Sequence, residues 1–423
     1  MAADEILRTL FLACFALWFL IETALSVLNA RFLKARRGQI PEPVKQAYSP
    51  ETYERSISYA LARQRLGHVE RVAGSILTLV FLFSGLVPML NESVSHGEFE
   101  PLTHGVAVIA AFLLLNGALG LPLELYATFG LEARFGFNKT TLRTYVLDKL
   151  KELLLSLAIG VPFLYGLLAL IAESGPLWWL WVALFVIAFQ FLMMILFPLV
   201  IAPLFNKFAP LPEGELKTQL EELARNCAFA VRGIFVVDGS RRSAHSNAYF
   251  AGLGKARRIV LFDTLLQQLS VPETTAVLAH EIGHYKRKHI LKALALSSVL
   301  TLAGCYVLSL LLYWHPLYQA FGMAVPNEAK GLITVGLIAG AFMFWAGPLL
   351  YALSRRYEYQ ADAYAAEQTG GPAAMESALL KIHEKNLSTP MPHRAYSAWH
   401  YSHPTLLERI EALRRQSAVR APE

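Results

Sequence analysis

LWWLWVALFVIAFQFLMMILFPLVI, residues 177 to 201, contains no charged side chain. An α-helix needs about twenty apolar residues to cross the hydrocarbon core of a bilayer, and a water-soluble fold rarely offers so long an apolar run. The stretch reads as a membrane span. Six more such blocks lie outward from it in both directions, at about 6 to 28, 69 to 90, 104 to 127, 150 to 172, 290 to 312 and 331 to 353.

Composition points the same way. Of 423 residues, 55% are hydrophobic and only 17% charged, and the mean hydropathy is +0.41. These values exclude a disordered chain and an ordinary cytosolic enzyme. A net charge of +6 would suit a nucleic acid if it were gathered on one face among exposed aromatics. Here Lys and Arg instead fall in alternate loops, so the expected partner is membrane lipid and not nucleic acid. Cys14 and Cys305 lie in apolar blocks and Cys227 in a polar stretch, which supports neither a disulfide framework nor a cysteine metal site. Asp4 and Glu5 stand where a signal peptide would be basic, so the first block counts as a span.

The loops set an orientation. Arg31, Lys34, Arg36, Arg37, Lys45, Arg55, Arg63 and Arg65 lie between the first two blocks, whereas Asn91 to Thr103 has no basic residue and carries Glu92, Glu98 and Glu100. The alternation continues along the chain, which predicts an outside N-terminus and a cytoplasmic C-terminus. The expected organisation is five transmembrane helices with basic cytoplasmic loops over 1–201, a cytoplasmic lobe over 202–289, spans six and seven over 290–353, and a C-terminal cytoplasmic lobe over 354–423. Glu22, Glu124 and Gln190 fall inside apolar blocks, where a polar group either lines a water-filled cavity or bonds helix to helix.

The chemistry gathers in the two polar regions. HEIGH, at 280 to 284, follows Ser270-Val271-Pro272-Glu273, a capping-box pattern that starts a helix upstream of it. On a helix His280 and His284 lie one turn apart and aim at one point, with Glu281 about 100° round and able to reach a water there. That is a zinc site with a built-in general base, one protein ligand short. In SRRYEYQAD, Glu358 is the candidate third ligand and Asp362, four residues on, can accept the outward N–H of a zinc-bound imidazole. Both carboxylates could instead pair with Arg355 or Arg356. Ile234 to Val237 and Arg258 to Phe262 read as short strands joined by a polar stretch, forming a small sheet that could take an extended peptide by strand addition. His403 precedes a proline, as helix-leading residues commonly do.

These residues resemble the Ste24-type CAAX prenyl proteases, integral-membrane zinc metallopeptidases of the M48 type. The resemblance is carried by FGFNKTT at 135 to 141, HSNAYF at 245 to 250, RRIVLFDTLL at 257 to 266, HEIGHYKRKH at 280 to 289, SRRYEYQADAYA at 354 to 365 and SHPTLLERI at 402 to 410. It implies seven transmembrane helices enclosing a chamber, with a small α+β metallopeptidase lobe. It also implies one Zn2+ held by His280, His284 and Glu358, with Glu281 catalytic and Asp362 behind the ligands. By the same resemblance His403 and Arg409 line the catalytic site, where they would stabilise the oxyanion, and Asn247 lies near substrate. The substrate would be a peptide or lipidated peptide that loses its C-terminal tripeptide. The loop after span six is short beside eukaryotic members, which suggests a bacterial inner-membrane homologue. Two other readings remain open: a quality-control protease of the HtpX type, which has about four spans, and a seven-helix transporter or receptor with a structural metal.

Overall fold

The computed structural model describes residues 2–251, 258–323 and 325–420. Arg257, the first residue of RRIVLFDTLL, lies outside them. Seven helices are long and apolar enough to cross a membrane: α1 (Ala3–Ala35), α2 (Pro50–Phe83), α3 (Pro101–Phe135), α4 (Leu142–Glu173), α5 (Gly175–Phe205) and, beyond the HEIGH helix α6 (Val271–Lys286), α7 (His289–Leu311) and α8 (Glu328–Gln368). One boundary differs from the sequence reading. The second span was expected to run to about 90 but stops at Phe83, because Gly85 takes a left-handed φ of 78° and a separate helix, Leu86–Ser95, begins.

The spans do not pack as a solid bundle. Their most apolar stretches are 0% buried in α5 and α7 and at most 22% buried in the others. Each helix therefore leaves most of its apolar surface uncovered, as the helices of a membrane chamber with lipid outside it do. Two buried cores hold the ends. One takes Phe11 of α1, Phe81 of α2, Val106 of α3, Leu168 of α4 and Ile333 of α8. The other lies at the opposite end and draws on both polar regions, with Leu261, Leu278, Ala365 and Ile410 among its members. Leu33, Tyr48, Tyr53 and Ile57 belong to the same core, so the segment between the first two spans is built into the lobe.

The polar groups inside the spans bond helix to helix. Glu22 of α1 meets Arg71 of α2 at 3.0 Å, and Glu124 of α3 meets Lys149 of α4 at 2.6 Å. The Gln190 amide of α5 donates to Thr301 at 3.5 Å and accepts from Ser297 at 3.3 Å, both on α7. Each pair satisfies groups that would be costly if left alone in hydrocarbon.

The lobe carries a four-stranded sheet in the order β1-β2-β4-β3, from β1 (Phe208–Pro210), β2 (Gly233–Val237), β3 (Ala248–Ala251) and β4 (Arg258–Phe262). The two strands read from sequence, β2 and β4, lie parallel at its centre, Ile234 opposite Ile259. The intervening polar stretch also supplies a strand. β3 runs antiparallel to β4, Phe250 opposite Ile259, and stands at the sheet's edge.

Candidate metal centre

The HEIGH helix begins where the capping box predicts. Ser270 N–H donates to Glu273 Oε2 at 2.7 Å, and Ser270 and Glu273 together cap the first turn. Ser377 and Lys381 of α9 (Ala373–Lys385) also donate to the Glu273 carboxylate, Lys381 at 2.7 Å. Burial alone would raise the Glu273 pKa, but the bonds from Lys381, Ser377 and Ser270 bring it down to about 2. The start of α6 is thus pinned to the lobe by a buried charge.

Along its length α6 packs against the lobe-side end of α8, and this contact assembles the site. His280 Nε2 and His284 Nε2 stand 3.1 Å apart. Glu358 Oε2 is 3.5 Å from the first and Glu358 Oε1 3.2 Å from the second. Donors held about 2.0–2.1 Å from a tetrahedral zinc lie roughly 3.3 Å from one another, so these three form one face of such a site. Two imidazoles and one carboxylate are also the donor types zinc takes in hydrolases. The set fits a metal ion.

The surroundings of the three donors are specific. Asp362, one turn beyond Glu358, has Oδ1 2.8 Å from His280 Nδ1. It also receives Arg409 of α10 (Leu406–Arg420) through both Nε at 2.8 Å and Nη2 at 2.6 Å, all buried. Burial opposes charge on His280, yet the Asp362 and Glu358 hydrogen bonds push its pKa up to about 9, so a cation entering the cluster displaces a proton. The second imidazole, His284, has its outward Nδ1 3.1 Å from Nδ1 of His289. His289 and its partner Gln360 escaped the sequence reading, although His289 closes the quoted HEIGHYKRKH stretch.

Among the described residues Glu281 makes no hydrogen bond or ion pair, and burial pushes its carboxyl pKa up. His403 Nε2 is 3.5 Å from Glu358 Oε1, with Nδ1 facing Ser402 Oγ at 3.0 Å. His403 and Arg409 border a cavity of about 600 Å³ that reaches Tyr59 and Arg63 of α2 and His245 ahead of β3. Asn247 is exposed at the head of β3, its Oδ1 accepting from Ala248 N–H, and no described contact joins it to the cluster. Arg355 does not take up Glu358; its Nη1 donates to the Tyr401 carbonyl at 2.7 Å.

Residues 210–417 match the family model of peptidase family M48, and residues 29–207 that of the CAAX prenyl protease N-terminal region with five membrane helices. The chain belongs to peptidase family M48. It is similar to "CAAX prenyl protease 1 homolog" of Oryza sativa subsp. japonica, 35% identical with 95% of this chain and 96% of that protein covered. It also resembles "CAAX prenyl protease 1" of Saccharomyces cerevisiae, 37% identical over 90% of each chain. The crystal structure of S. mikatae Ste24p superimposes with a TM-score of 0.90 at 32% identity, covering 96% of this chain and 98% of that one. This M48 member is a multi-pass membrane metallopeptidase. The family implies a metal ion, and His280, His284 and Glu358 form a group able to hold one.

Proposed function

We propose that the chain is a zinc metalloendopeptidase in which His280, His284 and Glu358 hold Zn2+ and Glu281 is the general base. The observation that carries this reading is the convergence of three ligand atoms beside a carboxylate that makes no hydrogen bond or ion pair among the described residues. Zinc, when bound, polarises the scissile carbonyl and acidifies water, lowering its pKa from about 15.7 toward 7. Glu281, its own pKa raised by burial, takes the proton from the attacking water and delivers it to the leaving amine nitrogen. His403, beside Glu358 and bordering the cavity, donates a hydrogen bond to the oxyanion as its charge develops. Asp362 fixes the His280 ring, and Arg409 neutralises Asp362 while its Nη1 stands 3.7 Å from Glu358 Oε2. An extended peptide adds to β3, the edge strand among the described residues, where Asn247 meets its backbone.

The substrate in this reading is a peptide or lipidated peptide cut near its C-terminus, as the relatives' name of CAAX prenyl protease suggests. The lobe faces the cytoplasm and the N-terminus the outside, on the support of the Lys and Arg distribution between loops. Placement in a bacterial inner membrane rests on the short loop after span six. The four stretches 1–201, 202–289, 290–353 and 354–423 act as membrane and lobe portions in alternation.

The test compares one CAAX-tailed peptide, farnesylated and unmodified, with wild type and Glu281→Gln, the products being read by mass. Release of the last three residues from the farnesylated form by wild type alone supports the full reading. Equal cutting of both forms at other bonds keeps the metallopeptidase but makes it a general membrane protease of the HtpX type. Loss of metal in Glu281→Gln would show that Glu281 is a ligand and overturn its assigned role.

A further inference from the structure

Of the two imidazoles in the cluster, only His280 has a carboxylate behind it. The outward nitrogen of His284 faces a second histidine, and the contacts of that histidine restrict where the protons of the three side chains can lie. His289 Nδ1 lies 3.1 Å from His284 Nδ1, and His289 Nε2 lies 2.9 Å from Gln360 Oε1. The ring is 3% exposed and stacks on Tyr357, the residue before Glu358, with centroids 4.2 Å apart and planes 12° from parallel. It cannot turn away to water.

Two proton arrangements satisfy such a chain. In one, His289 donates from Nε2 to the Gln360 carbonyl oxygen, so its Nδ1 is a bare acceptor and takes the proton of His284 Nδ1. His284 then presents a lone pair at Nε2, 3.2 Å from Glu358 Oε1 and 3.1 Å from His280 Nε2. In the other, the Gln360 amide is turned to donate, His289 carries its proton on Nδ1, and His284 is left with its own on Nε2, where a metal needs the lone pair. Metal binding is compatible with the first alone.

We infer that His289, fixed by Gln360, is a positioning residue that holds metal ligand His284 in its Nδ1–H tautomer. This deepens the metal-site reading above and rests on it. The backbone brings His289 there. Lys288, between α6 and α7, adopts φ 58°, and this left-handed residue turns the chain so that the first residue of the sixth span folds back over the HEIGH helix. His289 thereby joins three elements: α6 through His284, α7 of which it is the start, and α8 through Gln360 and Tyr357. The two ligands are held by unlike partners, His280 by an anion that raises its basicity and His284 by a neutral ring that sets direction without adding charge.

The experiment measures Zn2+ affinity of the purified full chain by competition with a chelator. Removing an outer partner of a metal ligand typically weakens binding about 10- to 100-fold. His289→Phe, which keeps the stacked ring and removes the acceptor, is expected to show such a loss. His289→Asn, whose amide oxygen can occupy the place of Nδ1, is expected to recover most of it, and Gln360→Leu to weaken binding with His289 intact. Wild-type affinity in His289→Phe or in Gln360→Leu would overturn the inference, as would equal losses in His289→Phe and His289→Asn. His280→Ala separates the two levels. If it abolishes Zn2+ binding while His289→Phe does not weaken it, the positioning role fails and the metal site stands; if it leaves binding unchanged, the metal site itself fails.

Discussion

A Cβ placed on Gly283 would stand 3.1 Å from the Cα of Ala361 and 3.2 Å from its carbonyl oxygen. The two small residues let α6 and α8 meet backbone to backbone, each one position ahead of a site residue, His284 and Asp362. The spacing of ligand atoms across this contact depends on that approach.

Gly283→Ala tests it. In an isolated helix the substitution would stabilise by up to about 1 kcal/mol. The atoms in its way are the Ala361 backbone and the Tyr364 Cβ fixed to it, which cannot yield without moving α8, and overpacking of this kind costs about 1–3 kcal/mol. The clash wins: thermal unfolding should fall and Zn2+ affinity in chelator competition should weaken. A stabilised variant with unchanged affinity would show that the helices have slack.

Asp362→Ala removes two things together, the acceptor on His280 Nδ1 and the two-bonded partner of the buried Arg409 guanidinium, which keeps only Glu358 Oε2 at 3.7 Å. An unpaired buried charge costs about 3–5 kcal/mol, and loss of the acceptor about 10- to 100-fold in metal affinity. Adding Arg409→Met should restore much of the stability measured by denaturation but none of the affinity. Recovery of both would mean that Asp362 serves only to neutralise Arg409.

Glu273 gives the lobe an acid dependence. Its pKa is about 2 in the folded chain against an ordinary 4.5. A depressed carboxyl stabilises fully above its unfolded value, and that contribution is lost as pH falls from about 4.5 to about 2. Glu273→Gln, whose amide oxygen can still accept from Ser270 N–H, should lower stability at neutral pH by roughly 1–3 kcal/mol through loss of the Lys381 pair. Its stability should also depend less on pH across that acid window, as unfolding curves at successive pH values would record.

Glu22 and Arg71 pair between α1 and α2 with side chains 10% and 15% exposed. Either Glu22→Leu or Arg71→Leu alone should destabilise by about 3–5 kcal/mol, because each leaves a lone charge, whereas the double substitution should come close to wild type. Additive losses in a double-mutant cycle would show that the pair is not coupled.

What was legible in the sequence and what was not follows from the range of each interaction. Seven spans could be drawn because apolar length is a local property. His280, Glu281 and His284 could be grouped because a helix brings i and i+4 together, and Glu273 announced where that helix starts. Glu358 could be named as the candidate third ligand from its place on the helix after the seventh span, but nothing in spacing says that α6 and α8 touch; Gly283 and Ala361 decide that, and both look ordinary in sequence. His289 was invisible for another reason. It lies five residues past His284, off the ligand face of any continuous helix, and only the left-handed turn at Lys288 brings it back. The strand at Ala248–Ala251 was missed because a short edge strand among polar residues has little alternation to reveal it.

The shared core of the lobe has a consequence for how this chain can be divided. The two matched family regions abut between residues 207 and 210, and a cut there would look like a cut between modules. Yet Leu33, Tyr48, Tyr53, Ile57 and Leu61 from the first region are buried among Leu220, Leu261, Ala276 and Ile410 of the second. A peptidase half expressed without its membrane half would expose that apolar seam to water and aggregate. The border drawn by sequence families is thus no seam of the folded object: a cut there divides one buried core between two fragments.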